Sequence, residues 1–439
     1  MSSNPQTVGI YTLGCKVNQY ESEAIGELFE QNGFRIAPPT QVCDVYLINT
    51  CTVTAESDRK ARNFIRRAIR QNPSAIVLVT GCYSQVAPQE VAAIGGVHYV
   101  CGNADKKSVV AAAMELLSHA ERPSQPTLHL SAPDSQGFEP MTITRFDRTR
   151  AYVKIEDGCE NRCAYCIIPS ARGAVRSKPA AEVLREVELL TQNGCREVVL
   201  TGIETASYGK DLSDCKLADL LEQVDRIPNI GRVRLGSLDP SLMREEFVSR
   251  IAALPSLAPH FHLSMQSGSD SVLARMRRKY NTRMALEGIA RLRCRIPNVQ
   301  ITTDMITGFP GETDAEFAQT LDFVRQAEFL NIHVFPYSRR AGTLADRMPD
   351  QVPEPIKAAR AAELSALQCD IRRKILDRQT NRITEVLFET YKKPIVCGHT
   401  ADFIEVACPS PKPLNAEILC VRITGNDGVR CNGEIVTPL

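Results

Sequence analysis

The sequence predicts an α/β protein in three parts: an N-terminal α/β domain around a parallel sheet (6–145), a central (β/α)6 partial barrel (146–372), and a small C-terminal antiparallel β-barrel (373–439). Three observations predict it. Strand-length apolar runs alternate with helical patterns in the first third, as βαβ units around a parallel sheet require. A second alternating series from Ala151 gives six strand–helix repeats. The chain then changes to short strands separated by Gly, Asn and Pro, the pattern of a small barrel.

Val8–Leu13 is the first strand, followed by a helical pattern near Glu21–Asn32. Val45–Ile48 leads into a helix over Ala55–Gln71, and Ile76–Val79 into a helix after Pro88. Residues 120–148 carry Pro123, Pro126, Pro133 and Pro140 with several Ser, which marks a linker or long crossing segment. The barrel strands are Ala151–Ile155, Glu197–Thr201, Arg232–Gly236, His260–Ser264, Gln300–Ile306 and Asn331–Phe335, with helices such as Ala180–Gln192 and Asp314–Ala327 between them. A helix over Glu354–Arg378 precedes the last strands, Glu385–Glu389, Phe403–Val406, Glu417–Ile423 and Gly433–Val436.

The richest motif is Asp157-Gly-Cys-Glu-Asn-Arg-Cys-Ala-Tyr-Cys-Ile-Ile-Pro169. Cys159, Cys163 and Cys166 stand in a C-x3-C-x2-C spacing directly after the first barrel strand, at the strand end where such barrels place chemistry. Three thiolates this close can hold three irons of a [4Fe–4S] cube and leave the fourth iron open to a ligand. The alternatives are a zinc site, whose pairs usually read C-x2-4-C twice over, and unrelated thiols.

A second set repeats one context. Cys15, Cys51 and Cys82 each follow a strand of the N-terminal sheet and precede a helix. Ligand sites in open parallel sheets form beyond the carboxyl ends of the strands, and a helix N-terminus favours thiolate. The pattern predicts a second three-cysteine metal site, against the alternative of three buried apolar cysteines. The remaining cysteines lack this context.

Composition bounds the function. The 439 residues are 43% hydrophobic and 23% charged with a net charge of +1, so nucleic-acid binding must come from local basic patches. No apolar run approaches the ~18 residues of a membrane span. Met1-Ser-Ser-Asn-Pro5 lacks a signal-peptide pattern, and the expected location is cytoplasmic. Sixteen cysteines in a reducing compartment argue for metal ligation over disulfides. Basic candidates are Arg59, Arg62, Arg66 and Arg70 at near-helical spacing, Arg275, Arg277, Arg278 and Lys279, and Arg339 with Arg340; His399 and Phe403 are further candidates in the last barrel. Solvated faces are the alternative for the arginines, and core packing for Phe403.

With both cysteine sets in view, the chain resembles the methylthiotransferases of the radical S-adenosylmethionine (SAM) class over essentially its whole length. Leu13-Gly-Cys-Lys-Val-Asn-Gln-Tyr-Glu-Ser22, Asn49-Thr-Cys-Thr-Val-Thr54, His262-Leu-Ser-Met-Gln-Ser-Gly-Ser-Asp270, Asp304-Met-Ile-Thr-Gly-Phe-Pro-Gly-Glu-Thr313 and His333-Val-Phe-Pro-Tyr-Ser-Arg-Arg340 are similar to the branch acting on N6-threonylcarbamoyladenosine at position 37 of tRNA. Lys16-Val17-Asn18 separates it from the isopentenyladenosine and ribosomal-protein branches. The chain departs from the branch's usual pattern at Ser170, Glu204, Ala206 and Gly236.

The resemblance implies an enzyme with an N-terminal cluster domain, a central radical SAM domain and a C-terminal RNA-binding TRAM barrel. It implies two [4Fe–4S] clusters, one on Cys159, Cys163 and Cys166 and one on Cys15, Cys51 and Cys82, and two uses of SAM. A 5′-deoxyadenosyl radical would take hydrogen from C2 of the adenine, and the auxiliary cluster would present the sulfur. Tyr165, Glu204, Ser237, Gln266 and Gly308 are the implied cofactor contacts. The implied partners are a tRNA anticodon loop and an electron donor such as flavodoxin or ferredoxin, with a monomer expected. The same chemistry on isopentenyladenosine or a ribosomal-protein aspartate is the runner-up, ahead of an RNA-binding iron–sulfur sensor without turnover.

Overall fold

The computed structural model describes residues 5–119, 121–123, 125–133, 137–146 and 148–436. The first sheet has six parallel strands in the order Arg35–Ala37, Thr7–Thr12, Val45–Thr50, Ile76–Gly81, Tyr99–Cys101, Thr127–His129. Val45–Thr50 and Ile76–Gly81 are buried at every position, which is why they read as unbroken apolar runs. Arg35–Ala37, Tyr99–Cys101 and Thr127–His129 have three residues each and were not foreseen, because so short a run shows no period. Thr127–His129 lies in the expected linker and adds an edge strand to the sheet; positions 120, 124, 134–136 and 147 of that stretch, like the first four residues, fall outside the described residues.

The helix after the first strand begins at Lys16, not near Glu21. Its first turn holds the polar residues Lys16, Asn18 and Gln19, which hide the apolar period. Its burial is nonetheless extensive, from Val17 to Phe29.

In the central part, Ala151–Lys154, Glu197–Thr201 and Arg232–Leu235 form a parallel sheet. Ser237–Leu238, His260–Gln266, Gln300–Thr307 and Asn331–Pro336 form a second. Gly236 divides the third strand between the two, and its N–H still donates to the Leu200 carbonyl at 2.8 Å. The six expected strands therefore follow one another around a partial barrel.

Helix Glu354–Asp377 packs on the last barrel strand and leads into a closed barrel of five strands: Ile383–Lys392, Ile395–Thr400, Glu405–Pro409, Cys431–Ile435 and Ile418–Asn426. Ile395–Thr400 was not foreseen. The barrel is also not wholly antiparallel, since Glu405–Pro409 pairs in parallel with Cys431–Ile435. A ring of five strands cannot alternate direction throughout, so one parallel contact follows from closure. One apolar core runs from Val8 through the partial barrel to Cys431. Among the described residues, no helix is long and apolar enough to cross a membrane.

Candidate iron–sulfur and cofactor site

Cys15, Cys51 and Cys82 sit just beyond the carboxyl ends of three adjacent strands of the first sheet. Cys15 caps the helix Lys16–Gln31 and Cys82 opens the short helix Cys82–Val86. Gly14 has φ +106°, and a Cβ there would stand 2.9 Å from the Cys51 sulfur, so only glycine lets the Cys15 loop lie on Cys51. Asn18 Nδ2 ties the loops together, donating to the Leu13 carbonyl at 2.7 Å and the Thr50 carbonyl at 2.9 Å. Burial, with the nearby Cys82 and Cys15 adding to it, pushes the Cys51 thiol up to about 11. Cys15 is an exposed residue, but desolvation by the surrounding loops still raises its thiol, with Arg172 opposing and Cys82 reinforcing.

Arg172, from the partial barrel, enters this site fully buried. Its Nε donates to Cys82 Sγ at 3.3 Å, Nη1 to Glu21 Oε1 and Asp157 Oδ1 at 2.9 Å each, and Nη2 to Asn18 Oδ1 at 2.6 Å. Lys154 Nζ adds bonds to Glu21 Oε1 at 2.7 Å and Asp157 Oδ2 at 2.6 Å, and Lys106 also bonds Glu21. Burial works against the Arg172 charge, but Asp157, Cys82 and Glu21 outweigh it and keep the group protonated. Asp157 also opens the motif that holds the other cysteines. One ionic network thus joins the two cysteine sets.

Cys159, Cys163 and Cys166 lie in the segment between the paired strands Glu156–Asp157 and Arg176–Ser177. Gly158 has φ +88°, and a Cβ there would collide with the Ala174 carbonyl. The Cys159 N–H donates to the Gly173 carbonyl at 2.9 Å, and the Ala164 N–H to Met276 at 3.0 Å. Arg278 Nη1 donates to Cys163 Sγ at 3.1 Å while Nη2 holds Asp239 Oδ2 at 2.9 Å. Burial raises the Cys159 and Cys166 thiols to about 12.

Of the expected cofactor contacts, Glu204 lines a cavity of about 440 Å3 with Asn161, Lys210 and Asp239. Glu204 Oε2 accepts from Asn161 Nδ2 at 3.1 Å, within the cysteine loop, and burial with the Asp239 charge lifts its carboxyl to about 7. Ser237, Gln266 and Gly308 do not line that cavity; they stand at the carboxyl ends of the third, fourth and fifth barrel strands. Gln266 has φ +67°. The Gly308 turn is tied by its N–H to Glu312 at 2.7 Å, and Glu312 to Arg360 at 2.8 Å. Tyr165 packs among Val272, Met276, Phe309 and Tyr337.

The residues suit iron–sulfur clusters. Each set offers three thiols and no fourth, with a guanidinium donating to one sulfur. Among the described residues, no three His, Cys, Asp or Glu side chains gather closely enough for one metal ion. A cube binds each thiolate on a different iron, so its ligands need not meet at one point.

The basic candidates divide. Arg59 pairs with Glu56, and Arg62 donates to the Tyr83 hydroxyl at 2.8 Å; Arg66 and Arg70 are exposed. Arg339 pairs with Asp346 at 3.0 Å on the surface. Arg340 is withdrawn from the RNA-facing set: it is buried and bonded to Asp58 and Thr52, which ties the partial barrel to the first domain. Arg278 is likewise turned inward, and Arg275 holds Glu316 at 2.8 Å, leaving Arg277 and Lys279 exposed. Phe403 stacks between His260 and His399 and faces the barrel interior. Sequence reasoning missed Arg172 as a thiol partner altogether. Asn18 and Glu21 carried a signal, since both lie inside the first cysteine motif.

The radical SAM superfamily matches residues 153–324, and an uncharacterized protein family, UPF0004, matches residues 7–102. The chain is 39% identical over 425 residues to the threonylcarbamoyladenosine tRNA methylthiotransferase MtaB of Bacillus subtilis (strain 168), covering 95% of this chain and 93% of that one. It is 38% identical to the Thermotoga maritima protein of the same name, covering 91% of each. It is 34% identical to the tRNA-2-methylthio-N(6)-dimethylallyladenosine synthase of Syntrophobacter fumaroxidans, covering 99% and 96%. The radical S-adenosylmethionine methyltransferase TsrM of Kitasatospora setae shares the fold with a TM-score of 0.54 at 17% identity, covering 78% of this chain and 77% of that one.

Proposed function

The chain belongs to the radical SAM methylthiotransferases, and from that premise we propose that it replaces the C2 hydrogen of N6-threonylcarbamoyladenosine-37 in tRNA with a methylthio group. The observation that carries the reading is the pair of cysteine triads on facing domains, joined by the Glu21–Arg172–Asp157 network. The relatives named for threonylcarbamoyladenosine, at 33–39% identity, support the substrate.

Cys159, Cys163 and Cys166 would hold one [4Fe–4S] cluster and Cys15, Cys51 and Cys82 the other. When bound, the clusters and SAM supply the electron, the hydrogen abstraction and the methylated sulfur. The chain's own residues do the rest. Arg278 and Arg172 donate hydrogen bonds to the sulfurs of Cys163 and Cys82 and hold them in place. Asn18 fixes the Cys15 and Cys51 loops at one spacing. Glu204 and Asp239 present carboxyls to the cavity beside the cysteine loop and would supply negative charge to a cationic cofactor. Residues 6–145, 146–372 and 373–439 would act as cluster, radical and RNA-binding parts. Reaching C2 needs an unstacked adenine, which an anticodon loop supplies.

The test is mass spectrometry of tRNA nucleosides from a deletion strain beside its complemented parent. Loss of 2-methylthio-N6-threonylcarbamoyladenosine, with the unthiolated nucleoside accumulating, is expected. Loss of the dimethylallyl form instead would move the substrate to the other branch, and an unchanged profile would reject tRNA.

A further inference from the structure

A second cavity, of about 370 Å3, occupies the interior of the partial barrel. Its walls include Arg234, His260 and His262; its floor is Phe403 and His399 of the last barrel; Lys16, the residue after Cys15, reaches it from the first domain. We propose that this cavity binds the carboxylate of the substrate's N6 substituent, with Arg234 and Lys16 as the recognising cations. The inference rests on the threonylcarbamoyl reading above and assigns its specificity.

Three observations carry it. Arg234 is 3% exposed; its Nε bonds Glu197 at 2.8 Å and one Nη bonds the Ala401 carbonyl at 3.1 Å, while Nη1 is buried without a partner. His260, 5% exposed, bonds Thr302 through Nε2 and leaves Nδ1 buried and unpaired. The side chain of Lys16, an exposed residue, lines the space with no hydrogen bond or ion pair to another described residue. The buried Arg234 N–H left unpaired is costly, and a carboxylate would supply both acceptor and charge; His260 Nδ1 can donate as well in the tautomer whose Nε2 accepts from Thr302.

Arg234 has no carboxylate to itself. Glu197 is shared by Arg150 at 2.6 Å, Arg234 at 2.8 Å and Arg232 at 3.9 Å, while Arg150 also bonds Glu389 and Arg232 reaches Glu385 at 3.4 Å. The other carboxylates are engaged: Asp304 with His262 at 3.2 Å and His333 at 3.5 Å, Glu389 with His399 at 2.7 Å, and Glu405 with Arg430 at 3.7 Å. Burial, with Arg234 and His262 beside it, holds the His260 imidazole well below its usual range, as a positive field requires. Phe403 fixes the guanidinium, its ring 4.8 Å below Arg234 and stacked 4.4 Å from His260. A site so built accepts an anionic group without rearrangement and leaves its donors unpaired against a neutral dimethylallyl group.

The test uses the full-length, cluster-reconstituted protein and anticodon stem-loops that differ only at position 37: threonylcarbamoyladenosine, its methyl ester, and dimethylallyladenosine. Dissociation constants and single-turnover rates are measured for each. The wild type should prefer the acid over the ester by about 10- to 100-fold, the range for a hydrogen bond to a charged group. Lys16→Gln and Arg234→Gln should each collapse that ratio toward unity through the acid alone, with iron content and ester turnover retained. Lys16 makes no bond the fold needs, so K16Q keeps the test open if R234Q misfolds. Equal handling of acid and ester by wild type would overturn the proposal while leaving the threonylcarbamoyl reading standing. If both variants weaken acid and ester alike and lower the salt dependence of binding, the anion is an RNA phosphate and the proposal also fails. Wild type that modifies only the dimethylallyl loop would instead overturn the underlying reading.

Discussion

Burying ions stabilises a fold only when every charge finds a partner, and removing one partner leaves the others uncompensated. Arg172 faces that condition with Glu21, Asp157, Asn18 and Cys82 all bonded to it in the interior. Arg172→Met should therefore destabilise the protein by about 3–5 kcal/mol, read by denaturant unfolding of the metal-free chain. It should also lower iron retention at the first-domain set, because Cys82 loses its donor. Cys82→Ser tests the ligand assignment itself: iron per chain should fall to about half, with the other set still loaded. Retention of full iron in that variant would remove Cys82 from the ligands. Arg172 was invisible in the sequence because nothing local distinguishes it from a surface arginine. The cysteines were visible because their spacing is local.

Elements carry their own signals and their own omissions. Helix Asp314–Ala327 starts with Thr313, whose hydroxyl accepts from the Glu316 N–H at 3.2 Å while Glu316 accepts from the Thr313 N–H at 2.9 Å. Glu316 also takes Arg275 of the helix Asp270–Arg275 at 2.8 Å, and chiefly that bond lowers its carboxyl to about 2. A carboxyl lowered on folding stabilises above its unfolded pKa and loses that contribution as pH falls through its folded value. In urea unfolding of the metal-free chain, the stability difference between wild type and Glu316→Gln should thus shrink by about 1 kcal/mol between roughly pH 4.5 and 2. The long helices and the six barrel strands were legible because each repeats a period several times. The three-residue strands of the first sheet and Ile395–Thr400 were not, since sheet neighbours supply the partners that make so short a run a strand.

At the scale of the molecule, Arg340 bonds Asp58 and Thr52 across the boundary between the first domain and the partial barrel, while Arg66 stays exposed on the helix Ala55–Gln71. The two arginines should therefore separate in a tRNA-binding titration against salt. Arg66→Ala should reduce the slope of log affinity against log salt by about one contact, and Arg340→Ala should leave the slope unchanged while lowering stability. A reduced slope in Arg340→Ala would return that residue to the RNA surface.

The sequence alone determined the α/β class, the six-strand partial barrel and the closing barrel, and singled out the two cysteine sets, because strand and helix periods, the Cys159–Cys166 spacing and the strand–Cys–helix context are local properties of the chain. Only the tertiary structure decided which charged residues turn inward. Arg172, Arg278 and Arg340 read as ordinary cations, yet each is committed by partners far away in sequence: Glu21, Asp239 and Asp58. The unpaired donor of Arg234 is likewise a property of the assembled fold. Desolvation and pairing depend on what the fold brings alongside a side chain, and no local pattern records that.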